Sequence, residues 1–195
     1  MRDIKAEKAE LRQQYLKIRR AIPKETKAEY DSLLCRSIIN SASYKYYDTI
    51  LLYAAREDEP DLSALAEKAL SDGKRVAYPR CVPGERAMNF HFIGSTDHLT
   101  PGSFGIYEPS DTLPVFDPAS PCCSVCFIPA VLVDRSGYRI GYGGGYYDRF
   151  LSGFHGSLAA VAFSQFVINS VPHGIFDLRA DVIITEGGIT AVVKN

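Results

Sequence analysis

Residues 139–151 read RIGYGGGYYDRFL, and this stretch is the most informative part of the chain. Four glycines fall within positions 141–145, with Arg139 before them and a Tyr-Tyr-Asp-Arg sequence after them. Because glycine lacks Cβ, it can adopt positive φ, and successive glycines can form a concave surface of N–H groups that binds anions. A helix that begins directly after them would add positive potential. The stretch predicts a phosphate-binding loop, the glycine loop (residues 141–145), with Asp148 placed for a metal.

Two common phosphate motifs do not fit the glycine loop. A Walker loop needs Lys-Ser or Lys-Thr after its last glycine, where this chain has Tyr146 and Tyr147. The dinucleotide fingerprint could begin at Gly141 and Gly143, but it needs a glycine where Tyr146 stands. The alternative, a glycine-rich turn that serves only tight geometry, is disfavoured by the flanking arginine, tyrosines and aspartate.

Composition predicts one globular domain over residues 1–195, because 195 residues with 46% hydrophobic content can bury a sizeable core. The formal net charge of −1 gives no global attraction to nucleic acid or to an anionic membrane, so local positive charge must bind any anion. No apolar run reaches the roughly 20 residues of a membrane span, and residues 1–10 lack an apolar signal core. We therefore expect a cytoplasmic protein that binds neither nucleic acid nor a membrane. We also expect it to be a monomer.

The five cysteines are predicted to be reduced, since the chain shows no secretory signal. Cys122, Cys123 and Cys126 are close enough in sequence to suggest a metal knuckle. They border the apolar run 123–133 without a second ligand pair, so we interpret them as thiols of a buried strand.

Residues 3–21 are predicted to form an amphipathic helix. The apolar stripe consists of Ile4, Leu11, Tyr15, Ile18 and Ile22. At about 100° per residue, Lys8, Arg12 and Arg19 lie along one edge of that stripe. Such an edge is usually a solvated flank, but an anion-binding protein with no net positive charge needs a local group of cations.

The remaining pattern predicts an α/β fold with a mostly parallel sheet covered by helices on both faces. Further helices are predicted at 25–41, at 62–70 and from the glycine loop to about 152. Strands are predicted at 48–54, 74–78 (stopped by Pro79), 88–93, 125–133, 158–163, 182–185 and 189–193. Residues 94–121 are predicted to be an extended loop that forms one wall of a site.

Ligands of such sheets bind beyond the carboxyl ends of the strands. This rule places residues 54–61, residues 79–80 and the glycine loop on one rim.

Glu57 and Asp58 are interpreted as a solvated loop. Asp134 either orients Arg139 or caps the turn. No histidine has a partner at motif spacing, so none is assigned to catalysis.

Residues 139–148 resemble the signature of the 5-formyltetrahydrofolate cyclo-ligases, also called 5,10-methenyltetrahydrofolate synthetases. Its typical form is Arg-Leu-Gly-x-Gly-x-Gly-Tyr-Tyr-Asp, and Ile140 replaces the leucine here. The resemblance implies a three-layer sandwich of the NagB/RpiA/CoA transferase-like type. It also implies ATP- and Mg²⁺-dependent cyclisation of 5-formyltetrahydrofolate, including its polyglutamylated form, to 5,10-methenyltetrahydrofolate, with release of ADP and phosphate.

The same resemblance implies site residues. Catalysis is expected of Arg12, Arg139 and Tyr146. ATP is expected to bind Lys8, Arg12, Arg139, Gly141, Gly143, Gly144, Gly145, Tyr146 and Tyr147. Folate is expected to bind Ala54, Glu59, Glu108, Tyr142 and Tyr146. Asp148 and Asp181 are the expected metal ligands.

Two other functions remain open from the residues. A non-catalytic nucleotide- or folate-binding protein would share the loop but need no metal aspartate. A sugar-phosphate isomerase or CoA transferase would need a carboxylate base or nucleophile near the loop, and Glu59 or Glu108 could supply one.

Overall fold

The protein is described by a computed structural model over residues 3–120 and 123–193. The helices are α1 (Ile4–Arg20), α2 (Lys24–Ile39), α3 (Ala42–Tyr46), α4 (Ser63–Ser71) and α5 (Tyr146–Leu151). The strands are β1 (Thr49–Leu51), β2 (Arg75–Cys81), β3 (Met88–Ile93), β4 (Leu99–Pro101), β5 (Tyr107–Pro109), β6 (Ser124–Pro129), β7 (Leu132–Asp134), β8 (Arg139–Ile140), β9 (Ser157–Val161), β10 (Val167–Ile168), β11 (Val182–Thr185) and β12 (Gly188–Ala191).

The described residues form a central sheet with the strand order β12-β11-β9-β6-β1-β2-β3. All neighbours from β11 to β2 are parallel, and the two edge strands, β12 and β3, are antiparallel to theirs. This arrangement confirms the mostly parallel α/β sheet. Its central strands are nearly continuous runs of buried apolar residues, as expected when both faces are covered.

Alternation along β2 places the helices on opposite faces of the sheet. Pro79 pairs with Phe90, whose ring centroid lies 4.5 Å from that of Phe150 in α5. Tyr78 points to the other face, within electrostatic range of Asp61 and of Cys35 in α2. The glycine loop and α5 thus share one face, and α2 lies on the other.

The predicted end of β2 at Pro79 is wrong, because the strand continues to Cys81. The carbonyl of Ala77 accepts the N–H of Leu52, so alternate residues of β2 direct their backbone groups towards β1. Pro79, two residues later, faces the same side beyond the end of β1. The position of the missing N–H therefore lies beyond the last residue pair of β1 and β2, Leu51 with Ala77.

The predicted strand 125–133 is two strands in two sheets. β6 pairs with β9 in the central sheet, and β7 pairs with β8 and β10 in a small three-stranded sheet. At the break, Ala130 donates its N–H to Val161, but Val131 donates to Ile140. This switch of partners redirects the chain towards the glycine loop. Residues 94–120 are also more ordered than predicted, since β4 and β5 pair within them.

Within the described residues, no helix is long and apolar enough to cross a membrane.

Candidate active site

The glycine loop connects β8 to α5 and has the left-handed backbone that its sequence predicts. Gly143 has a φ of +90° and Gly145 a φ of +73°. α5 begins at Tyr146, directly after the loop, as predicted.

Arg12 of α1 lies directly against the glycine loop. Its Nε donates to the carbonyl of Gly141 at 2.6 Å. A Cβ at Gly143 would lie 3.1 Å from Cζ of Arg12, so a side chain at this position would press on the guanidinium. Burial lowers the pKa of Arg12 from its ordinary value.

Arg139 lies at the base of the loop. Its side chain is 8% exposed, and Nη2 donates to Oδ1 of Asp148 at 2.9 Å. Nη1 would lie 2.9 Å from a Cβ at Gly141, and Cζ lies 5.6 Å from the ring centroid of Tyr147. Nε is buried with no hydrogen-bond partner among the described residues, so the protein leaves part of this cation unsatisfied.

Asp148, rather than Asp134, orients Arg139. Asp134 accepts the N–H groups of Ser136, Tyr138 and Val171. Of the two roles left open for Asp134, the turn cap is therefore the one observed.

Lys8 lies one helical turn from Arg12 but pairs with Asp177, with Nζ 2.6 Å from both carboxylate oxygens. Burial alone would raise the pKa of Asp177, but the Gly174 N–H and Lys8 hold it below its ordinary value. The charge of Lys8 is thus balanced by an internal carboxylate.

The three tyrosines in and beside the loop have different surroundings. Tyr142 is partly exposed, and Cζ of Arg56 lies 4.8 Å from its ring centroid. Tyr146 makes an edge-to-face contact with the exposed ring of Phe104, at 5.9 Å between centroids. Burial raises the pKa of Tyr147 well above its ordinary value, so this hydroxyl stays protonated.

Two carboxylates are buried, Glu59 in the segment after β1 and Glu108 in β5. Glu59 accepts the N–H of Arg56 at 2.9 Å, and burial raises its pKa. The neighbouring Asp58 accepts a hydrogen bond from the Tyr142 hydroxyl, so Glu59 belongs to a segment that contacts the glycine loop.

Glu108 accepts the N–H of Cys81 at 3.3 Å, and Nη1 of Arg80 lies 3.8 Å from its Oε2. Both Glu59 and Glu108 are therefore held in place by backbone N–H groups. Ala54 lies half-buried beyond the end of β1.

The interpretation of Asp58 as a solvated residue is wrong. Its side chain is only 13% exposed and accepts hydrogen bonds from Arg19. Its neighbour Glu57 is 88% exposed, as predicted. The sequence places Arg19 on the same helix edge as Arg12, and this spacing is the signal that could have indicated a buried cation as the partner of Asp58.

Asp181 is not brought to Asp148. Its Oδ2 accepts the N–H of Leu158 at 2.8 Å at the amino end of β11. It lines a cavity shared with Tyr44 of α3 and with Ser157, on the face of the sheet opposite α5. The two aspartates thus lie in different parts of the fold, and the assignment of Asp181 as a metal ligand stays a prediction.

The described residues contain no cluster of three or more His, Cys, Asp or Glu side chains suited to a metal. Cys35, Cys81, Cys123 and Cys126 are free thiols, and Cys122 lies outside the described residues.

Comparison with known proteins identifies relatives along almost the entire chain. The sequence model of the 5-formyltetrahydrofolate cyclo-ligase family matches residues 4–186. A probable 5-formyltetrahydrofolate cyclo-ligase of Caenorhabditis elegans is 27% identical, over 96% of each chain. The 5-formyltetrahydrofolate cyclo-ligase of Mycolicibacterium smegmatis is 29% identical, over 95% of this chain and 97% of that one.

The fold agrees with these relatives. The NMR structure of Aquifex aeolicus 5,10-methenyltetrahydrofolate synthetase superposes with a TM-score of 0.85 at 27% identity, over 96% of this chain and 94% of that chain. Since the family model covers nearly the whole sequence, the protein belongs to the 5-formyltetrahydrofolate cyclo-ligase family.

Proposed function

We propose that the protein converts 5-formyltetrahydrofolate to 5,10-methenyltetrahydrofolate, with ATP as co-substrate and with ADP and phosphate as products. Family membership supports this activity. The observation that carries it is the convergence of Arg12 and Arg139 on the glycine loop in a protein of net charge −1. These local cations suit a polyphosphate that the protein as a whole does not attract.

The proposed chemistry activates a poor leaving group. The formyl oxygen attacks the γ-phosphorus of ATP, so an O–P bond forms and the bond to ADP breaks. N10 of the folate then attacks the formyl carbon and loses its proton, and the carbon–oxygen bond breaks to release phosphate. No protein nucleophile is needed.

The protein's contribution is positioning and charge stabilisation. Backbone N–H groups of Gly143, Gly144 and Gly145, together with Arg12 and Arg139, are proposed to hold the phosphates. Lys8 would join them when it exchanges Asp177 for a phosphate. The Arg139 guanidinium lies over the ring of Tyr147, which would help to hold it in place. Tyr147 itself follows the glycine loop in α5.

Asp148 suits a magnesium ion beside these phosphates. Its side chain is 45% exposed, and the bond to Arg139 uses only Oδ1. Magnesium takes one or two protein carboxylates together with phosphate oxygens and water, so one aspartate is enough. When bound, the ion would neutralise charge on the phosphates.

The folate is proposed to bind beside the glycine loop, in contact with Glu59, Glu108 and Ala54. The buried carboxylates can accept the N–H groups of a reduced pterin. Tyr142 and Tyr146 are proposed to pack against its ring, with Tyr146 nearest the reacting atoms.

Three finer assignments are part of the same proposal. The sheet and helices would form a NagB/RpiA/CoA transferase-like sandwich. The protein would act as a monomer in the cytoplasm. Polyglutamylated 5-formyltetrahydrofolate would be accepted as substrate.

The test is an absorbance assay at the methenyl band of the product, with 5-formyltetrahydrofolate, ATP and Mg²⁺ each omitted in turn. Product should form only when all three are present, with one ADP released per turnover. Binding of nucleotide or folate without turnover would indicate the non-catalytic alternative. Isomerase or acyl-transfer activity without ATP would indicate the other alternative, and either result would refute the proposal.

A further inference from the structure

Arg19 is buried although it carries a charge at the end of a mostly exposed helix. Within α1, all of which the structure describes, it is the only buried residue, with 2% exposed. A buried guanidinium is costly unless its donors are paired. The hydrogen-bond partners of Arg19 therefore indicate why its side chain is buried.

The Arg19 guanidinium joins three segments that are distant in sequence. Nε and Nη2 donate to Oδ2 of Asp58, after β1, at 3.0 and 2.9 Å. Nη1 donates to the carbonyl of Ala130, after β6, at 3.1 Å. Nη2 also donates to the hydroxyl of Tyr142 in the glycine loop.

The same contacts fix the side chain of Tyr142. Its hydroxyl donates to Oδ1 of Asp58 at 3.3 Å, so Arg19, Asp58 and Tyr142 form a closed network in which each contacts the other two. Arg56 lies over the ring. The ring nevertheless remains 37% exposed, so it is held firmly and still accessible to a ligand.

We propose that Arg19 is a positioning residue for the reaction: it locks Tyr142 in the orientation that receives the folate, and through Tyr142 it fixes the glycine loop relative to α1. The proposal rests on the proposed function, because it assigns Tyr142 to the folate. The planar fork of arginine can bond Asp58, Ala130 and Tyr142 at once. The ammonium of lysine is a compact point charge and cannot span the same partners.

The kinetic test is a double-mutant cycle with Arg19→Lys and Tyr142→Phe. Arg19→Lys should raise the KM for 5-formyltetrahydrofolate about tenfold, the usual scale for losing a charged hydrogen bond. In the Tyr142→Phe background the same change should have little further effect, because the partner hydroxyl is already gone. Arg179→Lys is the control, since Arg179 lies outside this network and likewise bonds more than one partner, the carbonyl oxygens of Ser136 and Val193.

A chemical test needs no turnover and so separates this proposal from the proposed function. Nitration of tyrosines by tetranitromethane is followed by mass spectrometry, with the exposed Tyr107 as the internal reference. Arg19→Lys should speed nitration of Tyr142 relative to Tyr107, whereas Arg179→Lys should not. If Arg19→Lys does not fold, Asp58→Asn breaks the same network and should give the same result.

Independent, multiplicative effects of the two substitutions on KM would overturn the proposal, as would an unchanged rate of nitration at Tyr142. In either case Arg19 would serve stability alone. A wild-type protein that makes no product would instead refute the proposed function, and the nitration result would still decide whether Arg19 positions Tyr142.

Discussion

At the scale of single residues, arginines make the contacts that define the candidate active site. Arg12 is held by a carbonyl of the glycine loop, Arg139 by Asp148, and Arg19 by Asp58 and Tyr142. A guanidinium has five donors in a fixed plane, so it can bond the protein with some and offer others to a ligand. This property would allow the proposed phosphate site to bind an anion in a protein of net charge −1.

Replacement of Arg12 by alanine should mainly remove turnover. The substitution removes a cation from the glycine loop but no buried apolar group, so kcat/KM should fall by about 100-fold or more. Lys17→Ala is the control, because Lys17 is an exposed cation on the same helix. Near-normal ATP-dependent product formation by a folded Arg12→Ala protein would show that Arg12 has no role at the phosphates.

The raised pKa of Glu59 predicts a dependence of stability on pH. Its ordinary value is 4.5, and burial raises it in the folded protein. Above pH 4.5 the unfolded chain therefore loses this proton first, and the contribution of Glu59 to stability declines as pH rises through the folded pKa. Below pH 4.5 the contribution is fully present.

Glu59→Gln should remove this decline, since glutamine keeps the acceptor for Arg56 and does not ionise. Urea unfolding of both proteins from pH 4 to pH 8 should show the variant gaining stability relative to wild type as pH rises above 4.5, and then levelling off. Parallel stability curves would mean that Glu59 ionises normally when folded.

At the scale of elements, the glycine loop brings two structural requirements together. Its backbone needs positive φ at Gly143 and Gly145, and a Cβ at Gly143 would lie 3.1 Å from Cζ of Arg12, close enough to press on the guanidinium. The close contact between α1 and the loop therefore depends on the absence of a side chain at this position.

Gly143→Ala tests both requirements. A non-glycine residue at positive φ costs about 1–2 kcal/mol, so the melting temperature should fall by a few degrees. Displacement of Arg12 should also lower kcat/KM.

Gly84→Ala separates the two effects. Gly84 has a φ of +78° and open space around it, so this control should lose stability but not activity. Equal activity of the two variants would show that the contact with Arg12 is unimportant.

The elements also show what local sequence can predict. The glycine loop, α1 and the strands at 88–93 and 182–185 follow from glycine spacing and hydrophobic periodicity. The continuation of β2 through Pro79 and the break between β6 and β7 depend on where neighbouring strands end. Those ends are set by tertiary pairing, which a pattern within one strand does not contain.

At the scale of the whole molecule, the parallel sheet positions the candidate site. Its central strands end beside one another, so the segment after β1 contacts the glycine loop through Asp58 and Tyr142, and Arg19 links the Ala130 carbonyl after β6 to the same pair. The rim could be predicted from the parallel-sheet rule. The location of Asp181 on the face of the sheet opposite α5 could not be predicted, because it depends on the direction in which that carboxylate points.

Leu51→Ala should show how strongly the sheet controls stability. Leu51 is fully buried in β1, between β6 and β2, so the substitution should cost about 2–5 kcal/mol. Ile175→Ala, at a side chain that is 92% exposed, should change stability by less than about 0.5 kcal/mol. Urea unfolding measures both, and a small loss for Leu51→Ala would mean that the strand relaxes around the cavity.

The distances along the chain between α1 and its partners have a consequence for biosynthesis. Arg19 bonds a residue 39 positions later, Arg12 one 129 positions later, and Lys8 one 169 positions later. A ribosome adds roughly 5–20 residues per second, so α1 emerges roughly 10–30 s before Asp177 exists. During that interval Lys8 has no native partner, and in nascent chains stalled before residue 141 neither Lys8 nor Arg12 has one, so the first helix should be undocked and open to proteases and chaperones.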